Sequence, residues 1–174
     1  MKGYIHIYEG DGKGKTSTAV GLSVRCAGSG QTVVFSQFLK DNSSSEVAVL
    51  EQISGINYVR CEKHFGFFFQ MNEEEKEEAR AYYRQHFMKA VNIALEKKAR
   101  LFVMDELMSA YNLGVVDQKA VLDFLKTKPE EMEVVMTGRD PALELLELAD
   151  YVSKVVKIKH PFDQGVPARK GIEF

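Results

Sequence analysis

The sequence predicts an α/β fold in which a mostly parallel β-sheet is flanked by helices. Short β-prone runs alternate with helical patterns along the chain, which is the order that right-handed crossovers in a parallel sheet produce. A glycine-rich loop joins the first strand to the first helix, and an apolar strand further on ends in two acidic residues. The length of 174 residues suits one domain with a substantial core, so we expect a single domain over 1–174.

The first half of the chain predicts three strands and two helices. The strands are short runs rich in β-branched and aromatic residues. Gly28 and Gly30 end the first helical pattern, as glycine does at many helix C-termini. The predicted elements are strand 4–8, helix 15–27, strand 32–38, helix 46–53 and strand 56–60.

The second half opens on a long helix with a strong start signal. Asn72 is a good N-cap, and Glu75 follows three residues later, which makes a capping box. Lys97 and Lys98 place positive charge at the far end of this helix, where the helix dipole favours it. The remaining predicted elements are strand 101–104, helix 117–126, strand 133–137, helix 141–149 and strand 152–158.

Composition limits the partners and the compartment. The net charge of −2 argues against broad nucleic-acid binding, which relies on many contacts from lysine and arginine to phosphate. No apolar run reaches the roughly 18 residues that a membrane helix needs, and the start MKGYIHIYEG does not resemble a signal peptide. We therefore expect a cytoplasmic protein that binds neither membrane nor nucleic acid. Cys26 and Cys61 are far apart and are interpreted as small apolar residues.

The stretch GDGKGKTST, residues 10–18, is similar to a phosphate-binding loop that is one residue short. The usual pattern is G-x-x-x-x-G-K-[ST], and its end is present at Gly14–Thr16, but Glu9 stands where the opening glycine belongs. Glycines allow several backbone N–H groups to point at one anion, and the following helix adds the positive end of its dipole. Lys13 and Lys15 would add formal charge, and Thr16 would bind Mg²⁺. The alternative is a glycine-rich turn with solvated lysines.

Two further strand ends carry polar residues. LFVMDE, residues 101–106, is an apolar strand followed by acid, the position where phosphate-loop proteins hold Mg²⁺ or orient a nucleophile. Thr137-Gly138-Arg139 ends another strand, and Arg139 either reaches a phosphate or a partner carboxylate, or is an exposed loop arginine. Ligands of parallel α/β sheets bind at the carboxyl ends of the strands. Together these features predict a nucleotide-binding domain without fixing its reaction.

A wider set of residues resembles a known family. EGDGKGKTSTAVGLSVRCAGSG, VVFSQFLK, FVMDEL, VVMTGRD, ELADYVSKV and KHPFDQGVPARKGIEF occur in the order found in the ATP:cob(I)alamin adenosyltransferases of the phosphate-loop type. The resemblance runs from about residue 3 to the last residue. It implies a three-layer, RecA-like P-loop NTPase fold. In that family, the shorter loop is associated with ATP lying reversed, its terminal phosphate where an ordinary NTPase holds an inner one.

The resemblance also implies a reaction. Co(I) of a reduced cobalamin or other corrinoid attacks the ribose C5′ carbon of ATP, and the whole triphosphate leaves. The co-substrate is then ATP, the metal ion is Mg²⁺, and no general base is needed because the nucleophile is cobalt. The family further implies a flavoprotein reductase as partner and a homodimer.

The family's residue roles transfer to matching positions of this sequence. Lys15, Glu106 and Asp105 would act on the leaving triphosphate and its metal, with Thr16 and Glu106 as Mg²⁺ ligands and Asp105 behind them or sharing that role. The residues alone favour core packing for the phenylalanines before Asn72. The resemblance instead implies that Phe67 and Phe69 form the corrinoid wall, facing one way with Phe68 facing the other if the segment is extended. The residues expected to bind ATP are Gly10, Asp11, Gly12, Lys13, Gly14, Lys15, Thr16, Ser17, Arg25 and Arg139.

The chain departs from the family pattern at three places. One is its start almost directly at the first strand, where some relatives carry an extension that covers the site, so we expect the lid to be absent or built otherwise. Phe69 replaces a tryptophan, and Lys40-Asp41 leads into a serine-rich loop where many members have a glycine. Two other functions stay open. One is a different P-loop nucleotide kinase or NTPase, and the other is a non-catalytic, nucleotide-gated corrinoid carrier.

Overall fold

The chain folds around one parallel β-sheet. A computed structural model describes residues 2–40, 44–63, 65–66 and 68–174. Six strands pair in the order β3-β2-β4-β5-β1-β6, and every pairing is parallel. This confirms the predicted α/β class. The strands are β1 (Ile5–Glu9), β2 (Val33–Gln37), β3 (Ile56–Val59), β4 (Leu101–Asp105), β5 (Glu133–Gly138) and β6 (Tyr151–Lys154).

The helices cover both faces of this sheet. They are α1 (Lys15–Gly28), α2 (Ser45–Leu50), α3 (Glu73–Glu96), α4 (Leu107–Asn112), α5 (Gln118–Thr127) and α6 (Leu143–Leu148). The predicted capping box of α3 is confirmed, because Asn72 and Glu75 exchange side-chain-to-backbone hydrogen bonds of 2.9 Å in both directions. The sequence did not predict α4. It also extended the last strand to residue 158, four residues beyond its observed end.

The central strand β4 shows how the three layers form. All five of its residues are buried. Leu101 and Val103 lie in a core cluster with residues of α1, whereas Phe102 and Met104 lie in a larger cluster with residues of α3, α4 and α5. Because side chains alternate across a strand, one apolar run fills both interlayer spaces, as expected for a buried parallel strand. Core packing on both faces of the sheet thus continues to the end of β4.

His86 makes the stability of this fold depend on pH. The side chain lies on α3 with 4% of its surface exposed, and its Nε2 atom is 2.9 Å from the Ser36 hydroxyl and 3.2 Å from the Gln37 carbonyl. Burial lowers the pKa of His86 to about 4. The unfolded chain therefore binds a proton near pH 6.5 that the folded chain accepts only near pH 4, so stability falls as the pH decreases through this window.

We expect wild-type protein to lose about 2 kcal/mol of unfolding free energy between pH 7 and pH 5 through His86 alone. Urea unfolding at the two pH values measures this loss. The His86→Asn variant should be less stable at pH 7 and should lack this part of the pH dependence. Equal pH dependence in the two proteins would contradict a buried neutral histidine.

Candidate active site

The glycine loop lies at the carboxyl end of β1 and opens α1, as the sequence predicts. Gly10 and Gly14 have positive φ values of 117° and 123°, which side chains other than glycine rarely adopt. The loop packs tightly against the segment that follows β6, since the Gly12 N–H donates a 2.8 Å hydrogen bond to the Val155 carbonyl. A Cβ atom at Gly12 would lie 2.8 Å from that same oxygen. Contacts with the Val155 backbone therefore help to fix the shape of the loop.

We expect Gly12→Ala to distort the loop, because the added methyl group meets backbone that cannot move aside. The variant should lose stability by about 1–3 kcal/mol, the usual result of overpacking, and should bind ATP weakly. Gly28→Ala is the matched control, since an added Cβ there meets nothing within 4 Å. Thermal melting and ATP titration measure both effects. A Gly12→Ala variant as stable as Gly28→Ala, with normal ATP affinity, would refute this account of the loop.

Lys15 lies inside the loop. Only 8% of the residue is exposed, and its ammonium donates a 3.0 Å hydrogen bond to the Gly12 carbonyl. Burial lowers the pKa of Lys15, while the neighbouring carboxylate of Glu106 opposes that change. Helix α1 has Gly14 as its N-cap, without a side-chain cap and without acidic residues in its first turn. The ammonium and the helix N-terminus thus present positive potential to the same cavity.

Asp105 is the centre of a buried hydrogen-bond cluster at the end of β4. Its side chain is fully buried. The Thr16 hydroxyl donates to its Oδ1 at 3.0 Å, and the Thr137 hydroxyl donates to the same oxygen at 2.6 Å. The Gln37 amide and the Lys40 ammonium donate to Oδ2 at 3.0 Å and 2.7 Å. The cluster fixes the Thr16 hydroxyl at the base of the loop.

The side chain of Glu106 lies at the cavity wall, whereas that of Asp105 is buried. The backbone of Glu106 has a φ of 59°, in the left-handed region, and its N–H donates a 2.9 Å hydrogen bond to the Thr137 hydroxyl. The carboxylate accepts from the Ser109 hydroxyl at 2.9 Å and lines the cavity beside the loop. Two consecutive acids are thus separated, one within the fold and one at the cavity wall.

The C-terminal segment, which we define as residues 160–174, forms the outer wall of the site. A cavity of about 280 Å³ lies between the glycine loop, Glu106, Arg139 and this segment. Within the segment, Glu173 accepts hydrogen bonds from the backbone and guanidinium of Arg169, which lower the pKa of Glu173 to about 2. The Ser45 hydroxyl donates to the Phe174 carbonyl at 2.9 Å. No residue of this segment was predicted from the sequence to bind substrate or metal.

A second cavity, of about 740 Å³, adjoins the first. The two share Thr16, Ser17, Ile172 and Glu173 in their walls. Lys40 and α2 form the far side of the second cavity. A ligand bound at the loop therefore has room to extend past the start of α1.

The structure brings most, but not all, of the residues expected to bind ATP to the first cavity. Gly10–Ser17 and Arg139 lie at or beside the first cavity. The Asp11 carboxylate, however, accepts the Lys157 N–H at 3.0 Å, and this bond lowers the pKa of Asp11, so the side chain tethers the loop to the segment after β6. Arg25 lies in the last turn of α1, about 15 Å along the helix from Lys15. The structure does not bring Arg25 to the loop.

The expected aromatic wall is only partly described. Phe67 lies outside the described residues. The segment is not extended at Phe68–Gln70, which form a short 3₁₀ helix, so the condition attached to the expected facing of these rings is not met there. Phe68 packs against the core, and the Arg80 guanidinium lies 5.6 Å from its ring centre. Phe69 is 77% exposed. Phe68 is thus half-buried against the core while Phe69 is exposed, and the backbone that produces this difference is helical.

Comparisons with known proteins identify the family. The family model described as "ATP:corrinoid adenosyltransferase BtuR/CobO/CobP" matches residues 1–174. The chain is 32% identical to the Corrinoid adenosyltransferase of Sinorhizobium sp, covering 99% of this chain and 81% of that relative. It is 30% identical to the Corrinoid adenosyltransferase of Pseudomonas aeruginosa, over 99% of this chain and 84% of that relative. The "Corrinoid adenosyltransferase CobA" of Salmonella typhimurium is 29% identical, with 99% and 86% covered.

A solved structure supports the fold independently. ATPases 2 and 3 of EssC from Geobacillus thermodenitrificans superimpose with a TM-score of 0.52 over 98% of this chain and 36% of that chain, at 14% identity. At this identity the likeness shows a P-loop NTPase-like fold alone. Within the described residues, no helix has the length and apolar character to cross a membrane. The match over the full length, the identity with several named relatives and the fold agree, and the chain belongs to the ATP:corrinoid adenosyltransferase family.

Proposed function

We propose that this chain transfers the 5′-deoxyadenosyl group of ATP to the cobalt of a reduced corrinoid and releases tripolyphosphate. The family to which it belongs acts on ATP and corrinoids. The observation that carries the proposal is the short loop itself, with the buried ammonium of Lys15 inside it and the Thr16–Asp105 hydrogen bond at its base. This arrangement suits a polyphosphate that leaves as one unit, because it concentrates donors on the phosphates.

The loop would hold the triphosphate by backbone N–H groups from Gly10 to Ser17. Lys15 is the main cationic contact, and Arg139 at the cavity wall adds a second. Lys13 is exposed on the loop and contributes long-range attraction. Asp11 would act through its N–H, since its carboxylate already binds Lys157. We leave Arg25 out of the phosphate site because it lies at the other end of α1.

The residues at the base of the loop fit Mg²⁺. Hydroxyl and carboxylate oxygens are the donors that Mg²⁺ prefers, and we propose Thr16 and Glu106 as ligands with Asp105 orienting Thr16 through its hydrogen bonds. No group of three or more His, Cys, Asp or Glu residues among those described could hold a metal ion. Mg²⁺ usually combines one or two protein ligands with substrate phosphates. When bound, it would neutralise charge that develops on the departing tripolyphosphate.

The chemistry needs positioning more than proton transfer. The electron pair of Co(I) forms the bond to C5′, and the C5′–oxygen bond breaks with its electrons going to the triphosphate. The protein must therefore align cobalt, C5′ and the leaving oxygen, which fixed substrates in adjoining cavities can do. The second cavity is the space available beyond the phosphates. Phe67 and Phe69 remain our proposal for the corrinoid wall, and the exposed ring of Phe69 supports it.

The supply of reduced corrinoid by a flavoprotein reductase, a homodimeric assembly and a cytoplasmic location belong to the same proposal. Their support is the resemblance to family members.

One experiment separates the proposed reaction from the two alternatives. Purified protein is mixed with MgATP and chemically prepared Co(I) cobalamin, and the absorption spectrum is followed before and after illumination. We expect a cobalt–carbon product that light destroys. A nucleotide kinase or NTPase would consume ATP without forming this product, and a carrier would bind the corrinoid without consuming ATP. Either result would refute the proposal.

A further inference from the structure

Lys40 follows β2 and points into the cluster around Asp105. Its ammonium donates to Asp105 Oδ2 at 2.7 Å and to the Thr16 hydroxyl oxygen at 3.0 Å. The preceding residue, Leu39, has a φ of 56°, a conformation that leucine rarely adopts and that surrounding structure must hold in place. Three quarters of the Lys40 side chain is shielded from solvent. Lys40 is therefore held at the base of the loop rather than being a surface lysine that happens to lie near an acid.

One of the two oxygens that Lys40 contacts, the Thr16 hydroxyl, is a proposed Mg²⁺ ligand, and the other belongs to Asp105, which orients that hydroxyl. The Thr16 hydroxyl gives its hydrogen to Asp105 and accepts the Lys40 ammonium on its oxygen. Mg²⁺ binds such an oxygen at about 2.0–2.1 Å, so a metal ion and an ammonium on the same oxygen would repel each other at very short range. Only one of the two cations can occupy this place.

We propose that Lys40 is a resident cation, which occupies the metal position while nucleotide is absent and leaves it when a divalent cation enters with ATP. The inference rests on the proposed function and adds a positioning residue to it. The side chain of lysine suits the exchange, because its charge is a single point at the end of a flexible stem.

The buried charge of Asp105 explains why a resident cation is needed. The other side chains that hydrogen-bond to this carboxylate in the described part of the chain are Thr16, Gln37 and Thr137, all of them neutral. A buried carboxylate without a cation is strongly unfavourable. Lys40 supplies that charge and keeps Thr16 oriented before the substrate arrives.

The exchange also makes metal entry depend on ATP. A divalent cation alone must displace a bound ammonium and gains only a few protein oxygens in return. A cation that arrives with ATP brings phosphate oxygens that complete its coordination. The displaced ammonium can then pair with the phosphates. The geometry thus favours binding of metal and nucleotide together.

The test uses Mn²⁺ alone as the probe, titrated into nucleotide-free protein and followed by electron paramagnetic resonance. We expect Lys40→Met to bind Mn²⁺ at least tenfold more tightly than wild type, because the competing cation is gone. Lys128→Met is the matched control, since Lys128 is also partly buried but donates to the carbonyls of Gly3 and Met132 instead. It should bind Mn²⁺ as wild type does. Equal or weaker Mn²⁺ binding by Lys40→Met would overturn the inference.

Two further measurements test whether the gain in Mn²⁺ affinity arises at the Asp105 cluster. Adding Asp105→Asn to Lys40→Met should abolish the gain in Mn²⁺ affinity, and a gain that persists would overturn the inference. Without metal, Lys40→Met should melt several degrees below wild type, and Mn²⁺ should raise its melting temperature more than that of wild type. A melting temperature unchanged by Mn²⁺ would show that the metal does not take the place of Lys40.

These titrations need neither corrinoid nor turnover, so the inference and the proposed function fail separately. A wild type that forms no adenosylated corrinoid, yet shows the Lys40-dependent Mn²⁺ exchange, would refute only the proposed function. An active wild type whose Lys40→Met variant gains no Mn²⁺ affinity would refute only the inference.

Discussion

Replacing Lys15 by alanine should lower the turnover number by about 100- to 1,000-fold while the protein stays folded. A single preorganised donor to developing negative charge is typically worth ~2.7–4 kcal/mol in the transition state. Lys15 is well placed for this role, because it is almost fully buried inside the loop and its ammonium contacts only the Gly12 carbonyl among the described hydrogen-bond partners. Removing it costs the fold one hydrogen bond but takes the main positive charge from the leaving group. Initial rates with Co(I) cobalamin and saturating MgATP measure the effect.

Lys13→Ala is the control for this experiment. Lys13 lies on the same loop but is exposed, and water screens an exposed charge effectively. We expect its turnover to fall by less than tenfold. A folded Lys15→Ala variant with near-normal turnover would show that the buried ammonium does not act on the leaving group.

The second large effect is on stability. Asp105→Ala should lower the free energy of unfolding by about 3–5 kcal/mol, the usual range when one partner of a buried ion pair is removed. The loss has two sources, since the variant removes the anionic partner of the Lys40 ammonium and takes the acceptor from the Thr137 hydroxyl. The Gln37 amide keeps only its second acceptor, the Glu46 carboxylate. For a protein of this size the melting temperature should fall by roughly 6–20 °C. Calorimetry in the absence of nucleotide and metal measures it.

Asp123→Ala is the matched control. Asp123 pairs with Lys119 on the surface of α5, where both side chains are more than half exposed. Exposed pairs of this kind contribute about 0–1 kcal/mol, so the melting temperature should change by at most a few degrees. If the two variants melted alike, the cluster around Asp105 would have no special importance for the fold.

Local signals made most of the sheet predictable from the sequence. Each strand is a short β-prone run. The start of α3 is indicated by Asn72 and Glu75, whose side chains hydrogen-bond to backbone N–H groups within the first turn. Helix α4 gave no such signal. It has six residues and begins directly after Glu106, whose left-handed backbone turns the chain without glycine. The predicted end of the last strand was wrong because the chain pairs with β1 only as far as Lys154 and then turns over the glycine loop.

The candidate site was predictable only in part, because only some of its residues belong to local sequence motifs. The loop and the two acids after β4 are sequence motifs, so their residues could be named in advance. The pairing of Lys40 with Asp105 joins residues 65 positions apart, and nothing in either local sequence indicates it. The wall formed by residues 160–174 has no periodicity and depends on tertiary contacts such as that between Ser45 and Phe174. Arg25 was assigned to the phosphate site by its match to a family arginine, although the predicted helix 15–27 already placed it near the far end of α1, where the structure has it.

The products of the first turnover show whether the short loop holds ATP so that its three phosphates leave together. Protein, MgATP and Co(I) cobalamin are mixed under anaerobic conditions, and the phosphate products are separated by ion chromatography alongside the adenosylated corrinoid. We expect one tripolyphosphate for each adenosylated corrinoid. Stoichiometric orthophosphate or pyrophosphate from the first turnover would contradict it and indicate an ordinary NTPase.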